Sequence, residues 1–363
     1  MNNYEGAYFE YYREKGMDYA NDYHLKKSEG SYIHPRHLMA HYRYDGKTFT
    51  GDEVKIGIIT AFGYEGVQED MDLFCEKFSL PHTKISVFSH DGKTGARKNV
   101  RKSWATETAL DLQWAHVFAP SAQKKCYFSP SDDISDIFEV MKKADEECDV
   151  VSLSFGKREF AKSVEYEDFF RDSKALFVCA SGNNCAVNYP ASSKYTLSVG
   201  GTSVYFYPDG ECIGKERVFE KSGCGLAKYT AIPNHQAKDS VIRTKSAYRR
   251  SVPDMCFFAD GNLACPVFVC GKLERCVGTS IGAPSVAGLC ACIAERDPKI
   301  LEKKASYFYE LAEKCHLFKR PPVFFDITSG RIGEYAAEIG FDICSGLGVP
   351  NFEEIFRAVN MLA

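Results

Sequence analysis

The sequence predicts an α/β fold, a doubly wound, mostly parallel sheet with helices on both faces, forming a single domain. Three observations carry this. Short apolar runs alternate with stretches of helical spacing, the pattern of strands joined by crossover helices. No internal repeat or low-complexity linker divides the 363 residues. With 45% hydrophobic and 26% charged residues, the chain can bury one large core and stay soluble.

The elements follow in order. Residues 1 to about 33 are rich in Tyr, Lys and Glu without periodicity and read as an N-terminal extension, with the domain spanning 34–363. Val54 to Ile59 is a short apolar run before a Gly-containing turn, suited to a buried parallel strand. Met71, Phe74 and Phe78 have helical spacing, and Ile85 to Phe88 is a second strand. Trp104 to Val117 is helical and ends before Pro120. Ile134 to Glu147 places Ile134, Ile137, Phe138 and Met141 on one face, and Val150 to Leu153 returns as a strand. Ala175–Ala180 and Thr196–Val199 are further strands, and Ser280–Ala294 is a helix of small residues suited to close packing. Sheets of this kind carry their sites at the carboxyl ends of strands.

Composition narrows the function. A net charge of −4 lacks the basic character of a nucleic-acid binder. No run approaches eighteen apolar residues, so no transmembrane helix and no membrane partner are expected. The start, Met1 to Gly6, has no basic segment leading into an apolar one, which favours an intracellular setting. The fifteen cysteines show no paired zinc spacing and are expected to be reduced, mostly buried thiols. A monomer is expected.

The sharpest local signal is Val277-Gly278-Thr279-Ser280-Ile281-Gly282-Ala283-Pro284. A serine at the start of a helix lies near unpaired N–H groups and the positive end of the dipole, which favour a developing anion. An isolated Gly-Thr-Ser could equally be a plain N-cap. A nucleophilic serine needs a proton acceptor. His116 is read as a surface or partly buried residue. The helix around it instead offers Glu107 and Asp111, one turn apart on one face and flanked by Ala105, Ala109, Leu110, Leu112 and Trp114. Two shielded carboxylates there would share a proton, leaving one with a raised pKa fit to act as a base.

These segments resemble the sedolisin (serine-carboxyl peptidase) family, a branch of the subtilisin-like fold, from about His34 onward. The likeness includes Pro35-Arg36-His37-Leu38, Gly51 to Ile56, Ala119-Pro120-Ser121-Ala122, Ser152 to Gly156, Ala180 to Asn183, Tyr189 to Ser193, Val199 to Thr202 and Ser251 to Asp254. The resemblance implies Ser280 as nucleophile, with Glu107 as base and Asp111 as its orienting partner. It implies Asn183 as oxyanion donor, and Ser152, Ser154, Phe155, Gly156, Ser181 and Gly182 along an edge strand and turn that bind a peptide or protein substrate. It also implies one structural Ca2+ site in a loop at about 326–351. The side chains of Asp326 and Asp342 would be ligands there, with carbonyls from Ile327, Glu338 and Gly340. The chain departs from the family at Thr60, where an acidic residue is frequent, and at Asn183, where the family has Asp. The alternative is a catalytically inactive sedolisin-like protein that binds peptide by strand addition.

Overall fold

The computed structural model describes residues 32–89, 102–207 and 209–362. The rest of the expected extension, residues 1–31, lies outside the described residues. Its last two residues already belong to the packed body. Ile33 is buried and donates its N–H to Ala264 O at 3.0 Å, beside a bridge from Tyr32 to Ala264.

The apolar runs form one sheet. Its strands are β1 (Lys55–Ala61), β2 (Ile85–Ser89), β3 (Gln123–Ser129), β4 (Val150–Leu153), β5 (Leu176–Ala180), β6 (Leu197–Ser203) and β7 (Met255–Asp260). They pair in the order β7-β6-β5-β4-β1-β3-β2, all parallel, and a two-residue antiparallel strand, Arg217–Val218, joins β6. The chain first winds from β1 toward β2 and β3, then returns to the other side of β1 through β4. That reversal places a crevice at the carboxyl ends of β1 and β4.

Helices cover both faces. α1 (Val67–Phe78), α2 (Lys102–Phe118) and α4 (Gly282–Arg296) share the larger core with β1 and β6, whereas α3 (Ile134–Glu147) packs its apolar face into a second core with Ile59, Tyr127 and Phe177. α3 is amphipathic, burying Ile137, Phe138, Val140, Met141 and Ala144. α2 is instead buried on every side from Trp104 to Phe118. A helix in that position must be flanked by protein all round, and its neighbours are the sheet, α4 and the antiparallel hairpin Cys265–Val269/Lys272–Cys276. Gln113 clamps the hairpin, accepting from Phe268 N at 2.9 Å and donating to its carbonyl at 2.7 Å. Asp70 holds the hairpin's turn through Cys270 N and Gly271 N, both at 2.7 Å.

α2 and α4 lie against each other at Gly288. A Cβ there would stand 2.9 Å from Phe118 Cβ and 3.1 Å from Ala115 O, so only glycine permits the approach. The helix expected from Ser280 starts at Gly282, with Ser280 in the tight turn before it, closed by Ile281 N to Gly278 O at 3.1 Å and Gly282 N to Thr279 O at 3.0 Å. Two parts of the sheet escape the sequence reading. β3 opens on Gln123-Lys124-Lys125, yet Lys124 is buried with its amine donating to Ala119 O at 2.6 Å, at the end of α2. β7 forms the far side of the sheet. All fifteen cysteines are free thiols, and most are buried.

Candidate active site

Glu107 and Asp111 occupy the same face of α2, both wholly buried, and the turn carrying Ser280 is packed alongside. Burial pushes the Glu107 carboxyl well above the usual range, and the Asp111 charge raises it further. The nearby Ser280 hydroxyl opposes this by favouring the ionised form. Asp111 is raised by burial as well, against the hydroxyl of Ser154, which donates to Asp111 Oδ1 at 2.7 Å. Ser154 Oγ also lies 3.5 Å from the Ser280 carbonyl, joining the carboxylate pair to the nucleophile turn. Ser280 Oγ, both Glu107 oxygens and Asp111 Oδ2 are buried without a hydrogen-bond partner.

Behind the pair stands a neutral chain of hydroxyls. Thr108 Oγ1 lies 2.8 Å from Trp104 O and 3.0 Å from Thr60 Oγ1, which lies 3.9 Å from Cys126 Sγ. Because a hydroxyl donates once, Thr108 serving the Trp104 carbonyl must accept from Thr60. Thr60, where the resemblance led one to look for an acid, is thus satisfied as an alcohol.

The turn at Gly182-Asn183 reaches the same point from the other side. Thr279 N donates to Asn183 Oδ1 at 2.9 Å, and Gly182 N donates to Thr279 Oγ1 at 3.2 Å. A backbone N–H can only be met by the amide oxygen, so the amide orientation is fixed and Nδ2 is left as the donor. Nδ2 is buried and unpartnered, and stands 2.7 Å from where a Cβ on Gly278 would be. Gly278, at φ +130°, makes room for it. Ser181 is buried behind this turn, 3.3 Å from Ser222 Oγ.

The expected edge strand is placed differently. Ser152 sits inside the sheet, paired with Ile58 of β1 and Val178 of β5, so its backbone is committed on both sides. Only Ser154, Phe155 and Gly156 run past the strand's end toward the crevice. His116 is wholly buried, not superficial. Its Nε2 lies 2.7 Å from Pro81 O, and burial depresses its pKa to about 3. It stands nine residues beyond Glu107 on the helix, about 13 Å away along the axis.

In the C-terminal loop, one turn brings the two predicted carboxylates together: Gly340 N donates to Asp326 Oδ2 at 2.8 Å and Glu338 N to Asp342 Oδ2 at 3.1 Å. Asp342 also accepts from Cys344 N, Ser345 N and Ser345 Oγ at 2.7–2.9 Å. Ile327 is buried. Among the described residues no cluster of three or more His, Cys, Asp or Glu could hold a metal ion, so a cation here would rest on two carboxylates and backbone carbonyls. That donor set suits calcium in its chemistry. The neighbouring Lys245 ammonium lies 2.8 Å from both Glu338 Oε2 and Phe341 O, so one positive charge already stands beside the turn.

Comparison with known proteins identifies the family and the fold. The model of the subtilase family (Peptidase_S8) matches residues 102–311. Kumamolisin of Bacillus sp. (strain MN-32) is 29% identical over 302 residues, 73% of this chain and 52% of that protein. Tripeptidyl-peptidase 1 of Dictyostelium discoideum is 25% identical over 326 residues, 79% of this chain and again 52% of the relative. The chain thus spans about half the length of these relatives. A structure of Pseudomonas sedolisin, a serine-carboxyl proteinase, superposes with a TM-score of 0.79 at 19% identity, covering 92% of this chain and 99% of that one. The chain belongs to the subtilase family and is a sedolisin-like member of it.

Proposed function

We propose that the chain is a serine-carboxyl peptidase, and the observation that carries this is the buried Glu107/Asp111 pair set beside the Ser280 hydroxyl. Burying two carboxyls with three oxygens unsatisfied is costly to the fold and is explained by proton transfer. Ser280 Oγ attacks the peptide carbonyl and passes its proton to Glu107. Asp111, held by Ser154, orients Glu107 and shares its proton. The negative oxygen of the tetrahedral intermediate is met by Asn183 Nδ2. Collapse expels the amine, which takes the proton from Glu107, and leaves an acyl-enzyme. Water then repeats the sequence, giving up its proton to Glu107 as it attacks. Ser154–Gly156 and the Ser181-Gly182 turn would line the bound peptide, and calcium between Asp326 and Asp342 would stabilise the fold without entering the chemistry.

Covalent labelling by a fluorophosphonate probe tests the nucleophile. The wild type should label and hydrolyse peptides, and Ser280→Ala should do neither. Wild-type protein that binds peptides without labelling or cleavage would favour the inactive peptide-binding alternative.

A further inference from the structure

Phe62 follows β1 directly, with φ +65°. A left-handed backbone strains an ordinary L-residue, whereas glycine adopts it at almost no cost. For a residue as bulky as phenylalanine the conformation is an outlier of the kind that gathers at functional sites. The backbone is held by Phe62 N to Ser129 O and Gly63 N to Ala61 O, both at 2.8 Å. The ring is only partly buried, so it seals the interior poorly, yet it packs against the second core at the mouth of the crevice.

Its neighbours tie it to the carboxylate pair. The Phe62 ring centroid lies 6.3 Å from that of Trp104, which lies 5.8 Å from that of Phe155, both contacts edge-to-face. Trp104 is one turn before Glu107 on α2, and its carbonyl is the group bonded by Thr108. Phe155 directly follows Ser154, the donor to Asp111. Three rings from three separate segments therefore form a continuous apolar wall along one flank of the pair.

Resting on the peptidase reading, we infer that Phe62, backed by the buried rings of Trp104 and Phe155, is a specificity surface that receives a large apolar side chain, aromatic or branched aliphatic, from the bound peptide. Phe62, the partly exposed end of the wall, is the residue that sets the preference. Aromatic faces meet such side chains through edge-to-face or stacked contact, and the nearby ionisable groups are too deeply buried to pair with a charged one.

The test compares peptides differing at one position at a time, with Phe, Leu, Ala or Asp at each. Wild type should favour Phe and Leu over Ala by at least about tenfold in kcat/KM at one position. Phe62→Gly should reduce that ratio to a few-fold, with a modest loss in melting temperature, since the relief of the left-handed backbone offsets only part of the lost ring packing and the freer unfolded chain. The same peptides titrated calorimetrically into Ser280→Ala, with and without Phe62→Gly, read the preference as binding. Cleavage with an unchanged profile in Phe62→Gly overturns the specificity surface and leaves the peptidase reading standing. A binding preference that disappears with Phe62→Gly, in a wild-type chain that cleaves nothing, sustains the surface and removes the peptidase reading. Neither cleavage nor binding removes both.

Discussion

Asp342 and Glu107 are both buried carboxylates, and they are treated in opposite ways. Asp342 receives four donors, three of them N–H groups of its own loop, so both oxygens are satisfied. Glu107 receives none on either oxygen. A structural carboxylate ties down its surroundings and gains stability from doing so, whereas Glu107 keeps its lone pairs for a proton that arrives only during reaction. Asn183 makes the same point among donors, with its amide oxygen fixed by Thr279 N and its Nδ2 unspent. Unsatisfied polar atoms occur singly elsewhere in the interior, but Glu107, Asp111, Asn183 and Ser280 bring five of them to one place, which is where chemistry is expected.

The comparison can be broken at three points. The largest effect is expected at Asn183. Replacement by Ala should lower kcat by about 10²–10³, roughly 3–4 kcal/mol of lost oxyanion stabilisation, and should also lower the melting temperature, because Thr279 N loses the Oδ1 acceptor. Asn183→Asp sharpens this. A carboxyl donates only while protonated, so its activity should survive at low pH and fall away faster than wild type as pH rises. Overlapping pH–rate profiles would show that Asn183 is only part of a tight turn.

A smaller effect is expected at the loop. A cation bound only by the folded state adds about 2.7 kcal/mol at a hundredfold excess over Kd. Chelator should lower the melting temperature, and Asp326→Ala should lose the response. Identical melting curves with and without chelator would remove calcium from the account.

The least expected change, and the opposite in sign, is at Glu107. Its folded pKa is raised above the unfolded value, so its contribution to stability is fully present below the ordinary carboxylate range and is lost as pH rises through the folded pKa. Glu107→Gln should therefore melt higher than wild type at neutral pH and lose that advantage in acid. Its turnover should collapse in the same samples. A variant that is destabilised at neutral pH would mean that Glu107 supports the fold as Asp342 does, and the contrast would fail.

Much of this was legible in the sequence because it is written in local spacing. Glu107 and Asp111 are four residues apart in an apolar helix, and the Gly-Thr-Ser turn precedes a run of small residues. Ile134–Glu147 and Val150–Leu153 were readable to the residue from their periodicity. What escaped depends on distant partners. Lys124 makes β3 look like a polar loop, and only the end of α2 explains how its amine can be buried. His116 looks superficial until Pro81, from another segment, is seen to meet it. Ser152 to Gly156 reads as one edge strand, but the strands to either side of β4 enclose its first half. The aromatic wall was out of reach for the same reason, since Phe62, Trp104 and Phe155 are scattered along the chain.

The contact at Gly288 has a consequence at a distance. α2 and α4 run side by side in the same sense, with base and nucleophile near their N-terminal ends and the closest backbone approach some two turns further on. The reach between Ser280 and Glu107 is thus set by how closely the two rods are allowed to lie, as a gauge block sets the jaws of a caliper. A single methyl at position 288 would widen the gap where no substrate, proton or cation ever comes. Every reacting group would keep its identity, and the instrument would simply read wrong.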